Sequence, residues 1–426
     1  MKNHLIFITL LCLICFSCTS YKTTITKFNL DDTNVTPVKF KTESFYLTYR
    51  IAEPEDALHL AETEAQKQAA EALKLVKQGN LKEAAELYSE AIKTKDSLEL
   101  LWKYFPHNYY KMNYQWNQLE MLENIRENST DSSFVHYKNT PPFNITFDEE
   151  PDTISIFIKH NLPMLKIKID GKILIFIIDT GTQTTSIYKN VADKIKANIL
   201  GKNKYESIGL TGNVNEFSGL LENLTIGKTK FQNIPVDIFD ANSIDINFLF
   251  FNIYHLDGII GWDILKNFDF TIDYKNEKLI LRKPQKQDNQ HRNLFWYYMP
   301  MVKFYVGKNN YPLLLHFDSG TSESLFSARA MSWVLGVDTN TLKTSKKKVY
   351  GIVGSTKQKY FIYPDFSFYT LSSNDVIYLN FTNIRLGDNI ALHSAKLATN
   401  GILGSAYFKD KAVRIDILNG IFEIME

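Results

Sequence analysis

Two short stretches constrain this chain more than anything else in it. They are Ile175-Phe176-Ile177-Ile178-Asp179-Thr180-Gly181-Thr182 and Leu313-Leu314-Leu315-His316-Phe317-Asp318-Ser319-Gly320-Thr321. Each is an apolar run that ends on an Asp, a small hydroxyl residue and a Gly. Such a run predicts a buried strand. The Gly permits a tight turn with positive φ, which leaves the carboxylate at the end of the strand. Taken singly, the pattern is more often a plain turn than a reactive loop. Taken twice, with matching features downstream, it predicts two carboxylates brought face to face.

The downstream features keep one order in both halves. Pro163 precedes Asp179 by 16 positions, and Pro300 precedes Asp318 by 18. A Gly-x-x-Gly follows, Gly209 to Gly212 in the first half and Gly351 to Gly354 in the second, starting 30 and 33 positions after the Asp. An apolar pair bracketed by Gly comes next: Gly258-Ile259-Ile260-Gly261 and Gly401-Ile402-Leu403-Gly404, starting 79 and 83 positions after the Asp. From Gly261 to Asp273 and from Gly404 to Asp416 the spacing is 12 in both. Four features repeated in order at near-equal spacing predict a duplicated unit. The C-terminal part of the chain is therefore read as mainly β, a first lobe over 140–285 and a second over 293–426, joined by a polar stretch around Lys283–Arg292.

This repeated unit resembles the retropepsin-like aspartic protease lobe, and the pair resembles the two-lobed, single-chain, pepsin-like aspartic proteases. The resemblance covers about residues 150–426 and rests on Asp179-Thr180-Gly181, Asp318-Ser319-Gly320 and the stretch Gly258 to Leu265. It implies an aspartic endopeptidase in which Asp179 and Asp318 activate a water. It implies that Thr180 and Ser319 bond across the lobes, that Gly181 and Gly320 allow close approach, and that Thr182 and Thr321 reach the outer carboxylate oxygens. Gly209, Gly212, Gly351 and Gly354 become flap candidates. Gly258, Ile259, Ile260, Gly261, Gly401, Ile402, Leu403 and Gly404 become packing residues beneath the loops. An extended peptide or protein substrate would be held as an added strand. No cofactor is implied.

Other chemistries find less support. The nine His are scattered and no His-Glu-x-x-His occurs, so no metal site is expected. There is no Gly-x-Ser-x-Gly elbow. With 48 basic and 47 acidic residues there is no charge excess to favour a nucleic-acid partner. His316 is read as a strand residue, and Asp263, Asp273 and Asp416 as loop or strand-end residues. With both Asp residues in one chain, a monomer is expected. The alternative reading is a binding protein that keeps the protease scaffold without catalysis.

The N-terminus carries Lys2, then an apolar run from Leu5 to Phe16 too short to span a bilayer, which reads as a signal peptide over 1–17. Cys15-Phe16-Ser17-Cys18 resembles a bacterial lipobox, which implies lipidation at Cys18 and attachment to the cell envelope; an ordinary signal peptide cut near Ser17 or Ser20 is the alternative. No strongly acidic run follows Cys18, which favours the periplasmic side. Residues 18–53 read as a tether, with a strand near Ser44–Tyr49. Over 54–128, Ala57, Leu58, Ala61, Ala65, Ala69, Ala72, Leu73 and Val76 recur at helical spacing. Gly79-Asn80 breaks the helix, and Ala84, Tyr88 and Ala91 resume the pattern in a hairpin that resembles a tetratricopeptide unit. With only one such unit, the hairpin is read as packing on its neighbour, and a surface for a protein partner is the alternative. Further helix is expected over 98–127.

Overall fold

The computed structural model describes residues 23–29, 43–99, 102–125, 133–148, 150–201, 205–209, 212–248, 251–287, 291–306, 310–351, 354–372, 375–387, 397 and 399–426. Residues 1–17 and Cys18 lie outside them. Helices fill the N-terminal part, and the rest of the chain is mostly strand.

Both Asp stretches are the C-terminal ends of buried strands, Lys172–Ile178 leading to Asp179 and Tyr311–Asp318. Each pairs antiparallel with the strand before it, Leu162–Ile169 and Pro300–Val306. On its other side each pairs in parallel with the Gly-bracketed strand, Gly258–Ile260 or Thr399–Gly404. Here the register repeats: Gly258 faces Phe176 and Gly401 faces Leu315, each three positions before its Asp. A third strand then joins, with Gly258 facing Ile187 and Gly401 facing Phe326. A helix follows each, Lys189–Ile195 and Ala328–Leu335. The bracketing Gly is required by close approach. A Cβ at Gly258 would lie 2.6 Å from the Ser186 carbonyl oxygen, and one at Gly401 2.7 Å from that of Leu325. The preceding residues do one job with different chemistry, since the Asp257 carboxylate accepts the Ile175 N–H and the Asn400 side-chain oxygen accepts the Leu314 N–H, both at 2.8 Å.

The Gly-x-x-Gly stretches are hairpin tips, with Gly209 paired to Gly212 and Gly351 to Gly354. Leu210, Thr211, Ile352 and Val353 lie outside the described residues. A five-stranded sheet joins the two halves, with Asp269–Asp273 of the first paired antiparallel to Ala412–Asp416 of the second. A two-pronged Arg414–Asp269 contact, both bonds 2.9 Å, fastens this seam, the geometry in which a guanidinium binds a carboxylate best.

The N-terminal part departs from the expected tether and strand. Thr23–Asn29 is an edge strand, paired antiparallel to Asp375–Phe381 in the second half. Phe45–Arg50 is a helix, not a strand: Phe45, Thr48 and Tyr49 are buried, a spacing that puts them on one helical face. The helix expected over 98–127 is two, Tyr104–Met112 and Trp116–Ile125, with Tyr114 at positive φ between them. The hairpin Glu64–Gln78 and Leu81–Lys93 turns at Gly79, whose φ of 84° suits a residue without Cβ.

This helical layer shares a core with the second half. Tyr49, Tyr88 and Tyr297 are all buried, and their hydroxyls meet, Tyr49 to Tyr88 at 2.7 Å and Tyr49 to Tyr297 at 3.1 Å. Phe105 packs against Trp296 and Tyr297. Lys303, buried in the strand Pro300–Val306, bonds to Glu53 just ahead of the helix Pro54–His59. Burial works against the Lys303 charge, and Glu53 and Tyr305 together more than offset it, holding the ammonium above its ordinary range. Removing one member of such a pair strands the other. Glu53→Ala should therefore cost about 3 kcal/mol in urea unfolding at pH 7, and Lys303→Met in that background should recover most of it. Equal stability of Glu53→Ala and wild type would refute the coupling.

Candidate active site

The loops after the two Asp strands are tied to each other by four reciprocal hydrogen bonds. Thr180 Oγ1 donates to the Phe317 carbonyl at 2.7 Å and accepts the Ser319 N–H at 3.0 Å. Ser319 Oγ donates to the Ile178 carbonyl at 2.7 Å and accepts the Thr180 N–H at 3.0 Å. Both side chains are fully buried. A residue with a short hydroxyl is required here, because one atom must donate and accept at once.

This tie sets the carboxyls of Asp179 and Asp318 within hydrogen-bonding reach of each other. Each Gly backs onto the opposite carboxyl. A Cβ at Gly181 would sit 2.5 Å from the Asp318 Cγ, and one at Gly320 would come closer still to Asp179. Asp179 accepts the N–H of Gly181 at 2.8 Å and of Thr182 at 3.1 Å on Oδ1, and the Thr182 hydroxyl at 2.8 Å on Oδ2. Asp318 accepts the Gly320 N–H at 2.9 Å on Oδ1. Thr321 differs from Thr182 in reaching Asp318 through its backbone N–H, which lies 3.4 Å from the Asp318 carbonyl and also bonds to the carboxyl. Both Asp residues are half-buried.

Both carboxyls hold their protons more tightly than usual. Burial raises Asp179 most, with the Asp318 charge next, against the lowering effect of Thr182 and Gly181. Burial also raises Asp318, against lowering by its hydrogen bonds to Asp179, Gly320 and Thr321. Two carboxyls this close titrate as a pair.

Beneath the loops the bracketed strands are locked in the same way twice. Gly261 N–H donates to Thr185 Oγ1 at 3.1 Å, and Gly404 N–H to Ser324 Oγ at 2.8 Å. Trp262 N–H bonds to the Thr182 carbonyl and Ser405 N–H to that of Thr321. The leads were in the sequence: hydroxyl residues stand one, three and six positions after each Asp. Asp263, read as a loop residue, is fully buried instead. Its Oδ1 accepts the Thr185 N–H and hydroxyl at 2.9 and 2.8 Å and the Ile264 N–H at 2.9 Å, and its Oδ2 accepts the Tyr114 hydroxyl at 3.2 Å. Tyr114 thus connects the helical layer to the first loop. His316 is a buried strand residue with Nδ1 3.1 Å from the Pro300 carbonyl. Burial depresses its basicity to about 4, so the ring is neutral at physiological pH.

A profile of the family described as gag-polyprotein putative aspartyl protease matches residues 165–267. This part of the chain is similar to that family. The match holds Asp179 and Gly258–Gly261 and stops short of Asp318. Among solved structures the chain is similar to a retropepsin-like aspartic protease from Rickettsia conorii, at 21% identity and a TM-score of 0.22, over 33% of this chain and 92% of that one. No curated protein matches it.

Two outcomes follow from the geometry. Thr180→Val leaves a buried carbonyl and a buried N–H unpaired and should cost roughly 2 to 4 kcal/mol in denaturant unfolding, whereas Thr180→Ser should cost little; equal losses would refute the tie. The second concerns pH. Each carboxyl binds its proton more tightly folded than unfolded, where about 4 is usual. The pair's contribution to stability is thus full below about pH 4 and is lost as pH rises through the folded values. Asp318→Asn removes one of two like charges, so thermal melts should show the variant gaining on wild type as pH rises from about 4 to 8. A constant gap would argue against a coupled pair.

Proposed function

We propose that the chain is a two-lobed, single-chain aspartic endopeptidase with Asp179 and Asp318 as its catalytic pair. The observation that carries the reading is two adjacent carboxyls, both raised in proton affinity, on loops held together by the Thr180–Ser319 exchange. The family match over 165–267 adds support for the first lobe.

In this reading the ionised carboxyl takes a proton from a bound water as its oxygen attacks the peptide carbonyl carbon. The protonated carboxyl gives its hydrogen to the carbonyl oxygen. The tetrahedral species then collapses: the C–N bond breaks, the leaving nitrogen takes the proton that came from water, and a hydroxyl of the tetrahedral carbon returns its proton to the other carboxyl, so the pair again holds one proton. This is the chemistry of aspartic proteases as a class. The hairpins tipped by Gly209–Gly212 and Gly351–Gly354 act as flaps that add strand-like hydrogen bonds to the substrate. The chain is exported, held by a lipid at Cys18 on the periplasmic side, and works as a monomer, with the tetratricopeptide-like hairpin open to a protein partner.

The experiment is cleavage of a peptide library from pH 3 to 8 by wild type, Asp179→Asn and Asp318→Asn, with and without pepstatin. Each substitution should lower kcat by at least about a thousandfold. The basic limb of the wild-type profile should fall well above the ordinary carboxyl value of about 4, because both carboxyls are shifted upward. Activity that survives either substitution would rule out the shared pair. Inactive wild type at every pH would favour a binding protein.

A further inference from the structure

Asp179 and Asp318 are not supported alike. Asp179 receives a side-chain hydroxyl from Thr182. Among the described residues no Ser or Thr hydroxyl donates to Asp318, which takes the backbone N–H of Gly320 and of Thr321. The peptide unit that carries this N–H also carries the Ser319 carbonyl. That carbonyl accepts Ser405 Oγ at 2.9 Å. With its one hydroxyl proton committed there, Ser405 Oγ can only accept from the Tyr274 hydroxyl, 3.2 Å away. Ser319, Ser405 and Tyr274 are all buried. Tyr274 follows the strand Asp269–Asp273 of the first half, while Ser405 follows Gly404 of the second. The first loop has no counterpart: Trp262 stands where Ser405 would be and Ile417 where Tyr274 would be, at the same spacing from Gly261 and Asp416.

We propose that Tyr274 and Ser405 are positioning residues for Asp318, acting through the Ser319–Gly320 peptide to strengthen the Gly320 N–H bond to its carboxylate. A carbonyl that accepts a hydrogen bond draws charge to its oxygen and makes the N–H of the same peptide a better donor. A better donor favours the ionised carboxylate. The chain thus stands in for the hydroxyl that Thr182 gives Asp179. It also makes the second loop depend on a side chain from the first half, so the pair is tuned only when both halves are seated. The inference rests on the reading of Asp179 and Asp318 as the catalytic pair.

The test follows the Asp318 carboxyl directly, by 13C NMR of protein labelled at the Asp carboxyl carbons and assigned with Asp318→Asn. Tyr274→Phe removes the terminal donor at almost constant volume, and Ser405→Ala removes both bonds. The Asp318 midpoint should rise by about 0.3 of a pH unit in Ser405→Ala and by less in Tyr274→Phe. The double variant should match Ser405→Ala, because both substitutions break one chain. The acid limb of the pH–rate profile should move the same way with KM unchanged. Midpoints unmoved in both single variants, with or without a lower melting temperature, would overturn the proposal, as would additive shifts. If Ser405→Ala does not fold, Tyr274→Phe alone decides. Wild type that cleaves no peptide, with the midpoints still shifting, defeats the protease reading and leaves the linkage standing; active wild type with unmoved midpoints defeats only the linkage.

Discussion

The exchange between Thr180 and Ser319 is the contact on which the rest depends. Two hydroxyls, each donating to a carbonyl and accepting an N–H from the opposite loop, leave no freedom in how the two turns meet. Both lie in a dry setting, where an unmade bond would cost its full desolvation penalty. Once the turns are fixed, the carboxyls have nowhere to go except toward each other, and the Gly beside each must lack a side chain. The raised proton affinity of both carboxyls follows from burial first, and at Asp179 from the Asp318 charge after it.

Around that contact the two halves repeat in register and differ in chemistry. Gly258 and Gly401 occupy equivalent positions beside their Asp strands, and Thr185 and Ser324 lock them with equivalent bonds. The differences are local. Asp257 is matched by Asn400, which shows that an acceptor and not a charge is needed at that point. Thr182 bonds to its carboxylate through its hydroxyl, while support reaches Asp318 through a peptide. Asp263 has Ala406 as its counterpart, and the buried carboxylate is stabilised by four donors, one of them Tyr114 from the helical layer. Near-equal backbones therefore present the two carboxyls with unequal surroundings.

The helical layer belongs to the same structure as the sheets. The Tyr49–Tyr88–Tyr297 hydroxyl cluster, the Phe105 contacts with Trp296 and Tyr297, and the Glu53–Lys303 pair all join helices to the second half. The strand Thr23–Asn29 adds to an edge of that half's sheet, covering backbone groups that would otherwise be open to pairing.

The sequence by itself determined what is local and periodic. Apolar runs ending in Asp-Thr-Gly and Asp-Ser-Gly, the bracketing Gly residues, their repeated spacing and the helical hairpin around Gly79 were all legible, because strand burial, tight turns and helical faces depend on neighbours a few positions apart. Only the tertiary structure decided what depends on distant partners. Phe45–Arg50 took a helical face because it packs on a layer that local propensity does not describe. Thr23–Asn29 became a strand because an edge was available more than three hundred positions away. Asp263, Tyr274 and Ser405 acquired their roles from groups 78, 131 and 86 positions distant. No pattern in a single chain reveals such bonds, since a hydroxyl or carboxylate reads alike on the surface and in the core until its partner is brought to it.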